Sequence, residues 1–192
     1  MSRRTLATIA AVGLGVLAIA FAVSKLDTAV RKLALPLSHA EVIRQQAAEK
    51  HINPALIAAV IYAESKFDPH QSPAGAQGLM QILPDTAQFI AHQSGGTRFV
   101  ASDLATPSIN VAYGSYYLRY LLDHYRGDEM LALAAYNAGL ANVDTWVARA
   151  GASGRRLTME AIPYSETRAY VRRVLDAQRA YRLTYPRELG LQ

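Results

Sequence analysis

The segment Pro54–Ser65, Pro-Ala-Leu-Ile-Ala-Ala-Val-Ile-Tyr-Ala-Glu-Ser, constrains this chain more than any other. Asn53 is placed to cap a helix there, and Pro54 suits its first turn. Leu56, Ile57, Val60 and Ile61 recur at helical spacing and define a stripe that other elements must cover. Glu64 follows Val60 by one helical turn and Ile57 by two, so it falls on the same stripe. A charge on a core-facing position is costly unless it has a partner or a task. A helix C-terminus disfavours negative charge as well. Burial and dipole both push a carboxyl pKa upward. A carboxyl that stays protonated near neutral pH is what a general acid requires. The alternative is a side chain that reaches solvent at the helix end, and perturbed carboxylates also occur in structural networks.

The rest of the chain reads as further short helices. Ser38-His-Ala-Glu41 has the form of a capping box and opens a helix over 38–50. Residues 67–76, with Pro69, Pro73 and Gly75, read as a loop, and a short helix is predicted from about Gly78. Pro84-Asp85 opens another, ending near Ser94. Thr106-Pro107 starts a long helix to about Tyr125, stopped by Gly127. Asp128 caps the next, through Asn137-Ala-Gly139, and a further short helix covers 142–149. Residues 151–156 are a polar loop, and Ser165 begins the last long helix, which ends before Pro186. No alternating strand pattern and no internal repeat stands out, so the predicted class is all-α.

A chain of 192 residues suits one domain with an appendage. With no cysteine, disulfides, thiolate nucleophiles and cysteine zinc sites are excluded. The five histidines show no metal spacing, and neither metal nor cofactor is expected. A net charge of +5 favours an acidic partner such as nucleic acid, anionic lipid or an anionic wall polymer. No nucleic-acid-binding signature accompanies it. Arg3 and Arg4 precede an apolar run over 6–23, broken only by Thr8. It is close to the ~17–18 residue minimum for a spanning helix and longer than the ~7–15 residue core of a signal peptide. The segment is therefore read as a signal anchor, with a cleaved leader as the alternative. The predicted organisation is anchor or signal peptide 1–23, juxtamembrane linker 24–37, helical domain 38–185 and tail 186–192.

Three other segments can carry chemistry. Gly75-Ala-Gln-Gly78-Leu-Met80-Gln81 places two glycines before a predicted helix start, where free N–H groups can bind a carbonyl, an anion or an acetamido group. A plain loop-to-helix turn is the alternative. Ala134-Ala-Tyr136-Asn137-Ala-Gly139 offers a flat ring, a hydroxyl and an amide, all suited to a sugar, or simply a helix C-cap. In Ile162-Pro-Tyr164-Ser-Glu166-Thr-Arg-Ala-Tyr170-Val171, Glu166 either complements the helix dipole or orients a neighbouring tyrosine or glutamine.

Taken in order, Glu-Ser, Gly-Leu-Met-Gln, Ala-Tyr-Asn-Ala-Gly and Ile-Pro-Tyr-x-Glu-Thr-x-x-Tyr-Val resemble the soluble-lytic-transglycosylase (SLT) family over about residues 41–184. These are peptidoglycan-cleaving enzymes. The resemblance implies a lysozyme-like bundle of short helices around a glycan cleft, here preceded by an N-terminal hydrophobic helix. It implies Glu64 as the catalytic residue, with Ser65, Ser72, Met80, Gln81, Tyr136, Asn137, Tyr164 and Glu166 as substrate-binding positions. Leu140 departs from the family pattern, where a proline often follows the glycine. The implied reaction breaks the bond between N-acetylmuramic acid and N-acetylglucosamine and closes a 1,6-anhydro ring without consuming water. Glu64 acts first as acid and then as base. Peptidoglycan strands are the implied partner, with the membrane engaged through the N-terminal helix and a location in the cell envelope. The alternatives are a hydrolytic muramidase using a second carboxylate such as Asp68, Asp85 or Asp103, and an idle wall-binding module.

Overall fold

Prolines and short polar caps set most of the helix starts. In the computed structural model, which describes residues 21, 23, 34–95 and 100–191, the elements are α1 (Ala40–Lys50), α2 (Pro54–Ser65), β1 (His70–Gln71), β2 (Gln77–Gly78), α3 (Pro84–Gln93), α4 (Pro107–His124), α5 (Glu129–Ala138), α6 (Leu140–Ala152) and α7 (Ser165–Thr184). Short 3-10 turns cover Ala101–Ala105 and Met159–Ala161. The chain forms two contact units, Met1–Pro36 and Leu37–Gln192, and all of these elements belong to the second. The apolar run 6–23 lies outside the described residues except for Phe21 and Val23, and so does most of the linker. Among the described residues no helix is long and apolar enough to cross a membrane.

The Asn53 side chain accepts a hydrogen bond from the Ala55 N–H at 2.9 Å, and Asp128 does the same for Leu131 at 3.0 Å. Both caps follow from residue type. The capping box at Ser38 does not form. α1 starts one residue after the left-handed His39, which gives no side-chain cap, and the Glu41 carboxylate is held by Arg44. Gly139, at φ 87°, joins α5 to α6 with no intervening loop, so α6 begins earlier than predicted.

α2 is the central element. Ala55 to Ile61 are all at most 1% exposed, so the helix is enclosed on every side rather than along one stripe. Its main neighbour is α7, which also packs on α5. α7 covers α2, and its Tyr170, Val171, Val174 and Tyr181 are all nearly or fully buried. After Thr184 the chain stays on the body. Leu189 is buried and Arg44 Nη1 donates to the Glu188 carbonyl at 2.6 Å, so the expected tail boundary at 185 falls inside packed structure.

The short helix expected at Gly78 is instead an antiparallel hairpin, with His70 opposite Gly78 and Gln71 opposite Gln77. Two left-handed residues, Gly78 (φ 77°) and Gln81 (φ 47°), bracket the turn and stop a helix from propagating. The turn is held by Asn110 of α4, which is fully buried. Its Oδ1 accepts from the Met80 N–H at 2.8 Å, and its Nδ2 donates to the carbonyls of Gln77 (2.8 Å) and Leu104 (3.0 Å). The close approach requires glycine on both sides. A Cβ on Gly78 would lie 2.3 Å from Asn110 Nδ2, and one on Gly114 would lie 2.4 Å from Met80 Sδ.

Asn110→Ala strands one buried N–H and two carbonyls, so urea unfolding should show a loss on the order of 2–4 kcal/mol, against less than ~1 kcal/mol for an exposed α4 substitution such as Asp123→Ala.

Candidate active site

The site is built where α2 ends. The helix stops directly after Glu64-Ser65 because Lys66 (φ 54°) and Phe67 (φ 66°) both adopt the left-handed conformation. Neither is glycine, so the stop is strained, by on the order of 1–2 kcal/mol per residue. Contact of the Phe67 ring with Tyr181, centroids 6.1 Å apart, helps to hold it. The Ser65 hydroxyl donates to the Leu79 carbonyl at 2.8 Å, joining the helix end to the hairpin turn. Glu64 is thereby set at the edge of the core, half-buried.

Its carboxyl pKa is raised from 4.5 to about 7, chiefly because burial penalises the charged form. A hydrogen-bonding interaction with the Tyr170 hydroxyl and the positive charge of Arg173 pull it partly back. Tyr170 is nearly fully buried, and its hydroxyl has no partner of full hydrogen-bond geometry among the described residues. The Arg173 guanidinium lies over the Tyr170 ring, 5.8 Å from its centroid. Tyr136 completes the cluster. Burial and the nearby Glu64 charge hold its hydroxyl well above the ordinary phenol range. That hydroxyl donates to the Met80 carbonyl at 2.9 Å. No other carboxylate among the described residues perturbs Glu64.

The remaining positions expected from sequence separate into three places. Ser65 and Met80 are buried and act as supports, Ser65 through Leu79 and Met80 through its backbone N–H and carbonyl. Ser72 and Gln81 belong to the hairpin. Ser72 Oγ accepts from the Ala76 N–H, and Gln81 Nε2 donates to the carbonyls of His70 (2.8 Å) and Gly78 (2.9 Å). Most N–H groups of the expected nest are taken internally: Gly75 bonds Ser72, Gln77 bonds Ile82 and Met80 bonds Asn110. Asn137 is exposed at the end of α5. Its Oδ1 accepts from Thr167 Oγ1 at 2.8 Å, and its Nδ2 donates to no described residue. Tyr164 is half exposed and meets Trp146 edge-on at 4.9 Å. Glu166 is exposed in the first turn of α7 and orients neither a tyrosine nor a glutamine among the described residues.

Sequence reasoning did not single out Tyr170, Arg173 or Asn110. Tyr170 stands in a recognised motif, but only packing distinguishes it from Tyr164. Tyr117 and Tyr120 of α4, with Phe89 and Leu140, line a cavity of about 300 Å³, and the Tyr117 ring lies 5.5 Å from that of Tyr136.

A model of the transglycosylase SLT domain matches residues 41–159. The chain belongs to this family. Soluble lytic murein transglycosylase from Escherichia coli K12 is 34% identical over 150 residues, covering 77% of this chain and 23% of that protein. The putative soluble lytic murein transglycosylase of Haemophilus influenzae is 34% identical over 160 residues, covering 81% of this chain and 27% of its own. Among solved structures, the 70 kDa soluble lytic transglycosylase of E. coli superimposes with a TM-score of 0.75 at 31% identity, over 84% of this chain and 27% of that one. A complex of the 70 kDa soluble lytic transglycosylase with bulgecin A gives 0.74 at 33% identity, over 80% and 25%. This chain thus spans about a quarter of the length of these SLT relatives. The all-α, lysozyme-like SLT fold is shared, with the small hairpin as an addition to the helices expected from sequence.

Because Glu64 titrates near 4.5 when unfolded and about 7 when folded, the folded state holds the extra proton between these values. Stability therefore falls as pH rises through that window, by up to about 3 kcal/mol for this group. Glu64→Gln should be more stable than the parent at pH 8 by up to that amount, the difference narrowing to nothing near pH 4, as read by denaturant unfolding at each pH. Tyr170→Phe removes a group that favours the carboxylate, so an NMR titration should place the Glu64 pKa above that of the parent.

Proposed function

We propose that this chain is a peptidoglycan lytic transglycosylase. Family membership supports the class, and the raised pKa of the half-buried Glu64 is the observation that carries the mechanism. At neutral pH a large share of Glu64 is protonated and can give its proton to the glycosidic oxygen between N-acetylmuramic acid and N-acetylglucosamine. The C1–O bond breaks, and the positive charge left on the muramic acid is stabilised by its own acetamido group. Glu64, now a carboxylate, takes the proton from the C6 hydroxyl of the same sugar as that oxygen attacks C1. A 1,6-anhydro ring closes, no water is consumed, and Glu64 regains its proton.

Two features favour internal attack over hydrolysis. Retaining glycosidases hold their two acids about 5–5.5 Å apart, close enough for like charges to raise a pKa, whereas only burial raises that of Glu64. A C6 hydroxyl held on the reacting sugar can supply an effective molarity of about 10⁵ M or more, so no acid is needed to hold a water. The Tyr170 hydroxyl, with Arg173 beyond it, stabilises the Glu64 carboxylate left after proton donation. Asn137 Nδ2 and the rings of Tyr136 and Tyr117 are suited to a sugar acetamido group and ring face. Ser72 and Gln81 would act by shaping the hairpin wall. Action in the cell envelope follows from the substrate, with the run 6–23 as the proposed membrane anchor or leader.

Mass spectrometry of fragments released from peptidoglycan decides between the two chemistries, an anhydro end being one water lighter than a reducing end. The anhydro product is expected. Glu64→Gln should lower turnover by about 10²–10⁴-fold while the fold is retained, the range that general acid–base catalysis supplies. Turnover by the parent should fall as pH rises through about 7, where Glu64 loses its proton. A reducing-end product, or parental activity in the Glu64→Gln variant, overturns the mechanism.

A further inference from the structure

Two tyrosines flank Glu64, and each has a polar neighbour that proton transfer does not use. Tyr136 of α5 and Tyr170 of α7 both interact with the Glu64 carboxyl. Asn137 follows Tyr136 at the end of α5, and Thr167 lies one turn before Tyr170 on the buried face of α7. Thr167 is 2% exposed, and its hydroxyl donates to Asn137 Oδ1 at 2.8 Å. That bond ties an exposed amide at the end of one helix to the interior of another.

The two ends of an asparagine amide are alike in shape and opposite in hydrogen-bonding sense. Which end faces outward is decided by what holds the other. Here the holder is a hydroxyl that donates to no other described residue. With Oδ1 inward the hydroxyl proton is satisfied. With Nδ2 inward the amide would donate to Thr167 Oγ1, and a buried hydroxyl proton would be left without that acceptor, which folded proteins avoid. Asn137 is thereby held with Nδ2 outward, where it bonds no described residue. We infer that Thr167 is a positioning residue that sets the hydrogen-bonding sense of Asn137, so that the site selects sugars with an acetamido group over the same sugars with a free amine. An acetamido carbonyl accepts from Nδ2. A protonated amine has only donors, and meets a donor. Turned over, the same amide would accept from the amine and the preference would reverse. The ligand named here rests on the glycan-cleaving reading; the orientation of the amide does not.

The full chain carrying Glu64→Gln allows binding to be read without cleavage. Its affinities for a tetramer of N-acetylglucosamine and a tetramer of glucosamine are measured by isothermal titration calorimetry, at one ionic strength and at a pH where the amine is protonated. The acetylated tetramer should bind at least about tenfold more tightly. Thr167→Val keeps the shape and charge of the side chain but removes the hydroxyl, and should reduce that ratio about fivefold, the size of effect that one neutral hydrogen bond supplies. Thr167→Ser keeps the hydroxyl and should restore it. Asn137 is exposed at a helix end, so Asn137→Ala tests the same point without disturbing a buried position. It should reduce the ratio as much, and adding Thr167→Val to it should reduce the ratio no further. An unchanged ratio in Thr167→Val, no restoration in Thr167→Ser, or a further loss in the double variant overturns the inference. Release of anhydro fragments from peptidoglycan by the parent judges the glycan reading separately. Fragments released together with an unchanged ratio in Thr167→Val remove the role of Thr167 alone. A parent that releases none, with a Glu64→Gln form that binds neither tetramer, overturns both.

Discussion

A fully buried Asn110 holds the segment on which the candidate site is assembled. Its three hydrogen bonds reach Met80, Gln77 and Leu104, so one side chain of α4 replaces the backbone partners that a two-residue hairpin cannot supply. Around that point the same few residues are held by two more hydrogen bonds and one close packing contact. Leu79 takes the Ser65 hydroxyl from α2, Met80 takes the Tyr136 hydroxyl from α5, and Gly114 admits the Met80 side chain against α4. Three helices are thereby tied to one turn, and the groups facing Glu64 arrive in a fixed relation. Rigid support of this kind is what positions catalytic groups closely enough to matter.

The electrostatics of the site follow from that packing. Glu64 is placed at the end of the most enclosed helix, where solvation is poor and the dipole is adverse. Tyr136 and Tyr170 surround it with hydroxyls that stay protonated, each pushed further from ionisation by burial and by the Glu64 charge itself. Such a group destabilises the native state above neutral pH, and the left-handed pair Lys66-Phe67 adds backbone strain at the same point. The central α2 core and its cover by α7 offset both costs.

Much of this was legible from residue type and local spacing. Asn53-Pro54, Thr106-Pro107 and Asp128 marked helix starts, because capping and proline effects act within one turn. Glu64 stood out because a carboxylate in an apolar helical run conflicts with its surroundings. Other features were illegible for an equally physical reason. Asn110 sits between Ile109 and Val111, and two of its partners lie some thirty residues away in sequence, so no spacing announces it. The hairpin at Gly78 is too short for alternation to show, and Gly-Leu-Met-Gln reads equally well as a helix start. Tyr164 and Tyr170 share a motif one and a half turns apart. Their faces differ, and only Tyr170 turns inward to Glu64.

The sequence by itself determined an all-α fold, the central helix, the identity of the perturbed carboxylate and the family pattern around it. These rest on local preferences and on one conspicuous conflict between charge and hydrophobic surroundings. Only the tertiary structure decided which residues share Glu64's environment, which of the expected positions are buried and which exposed, and where exposed arginines gather around Trp146. Those depend on groups distant in the chain meeting in space, where burial and charge act through distance and solvent rather than through order along the backbone.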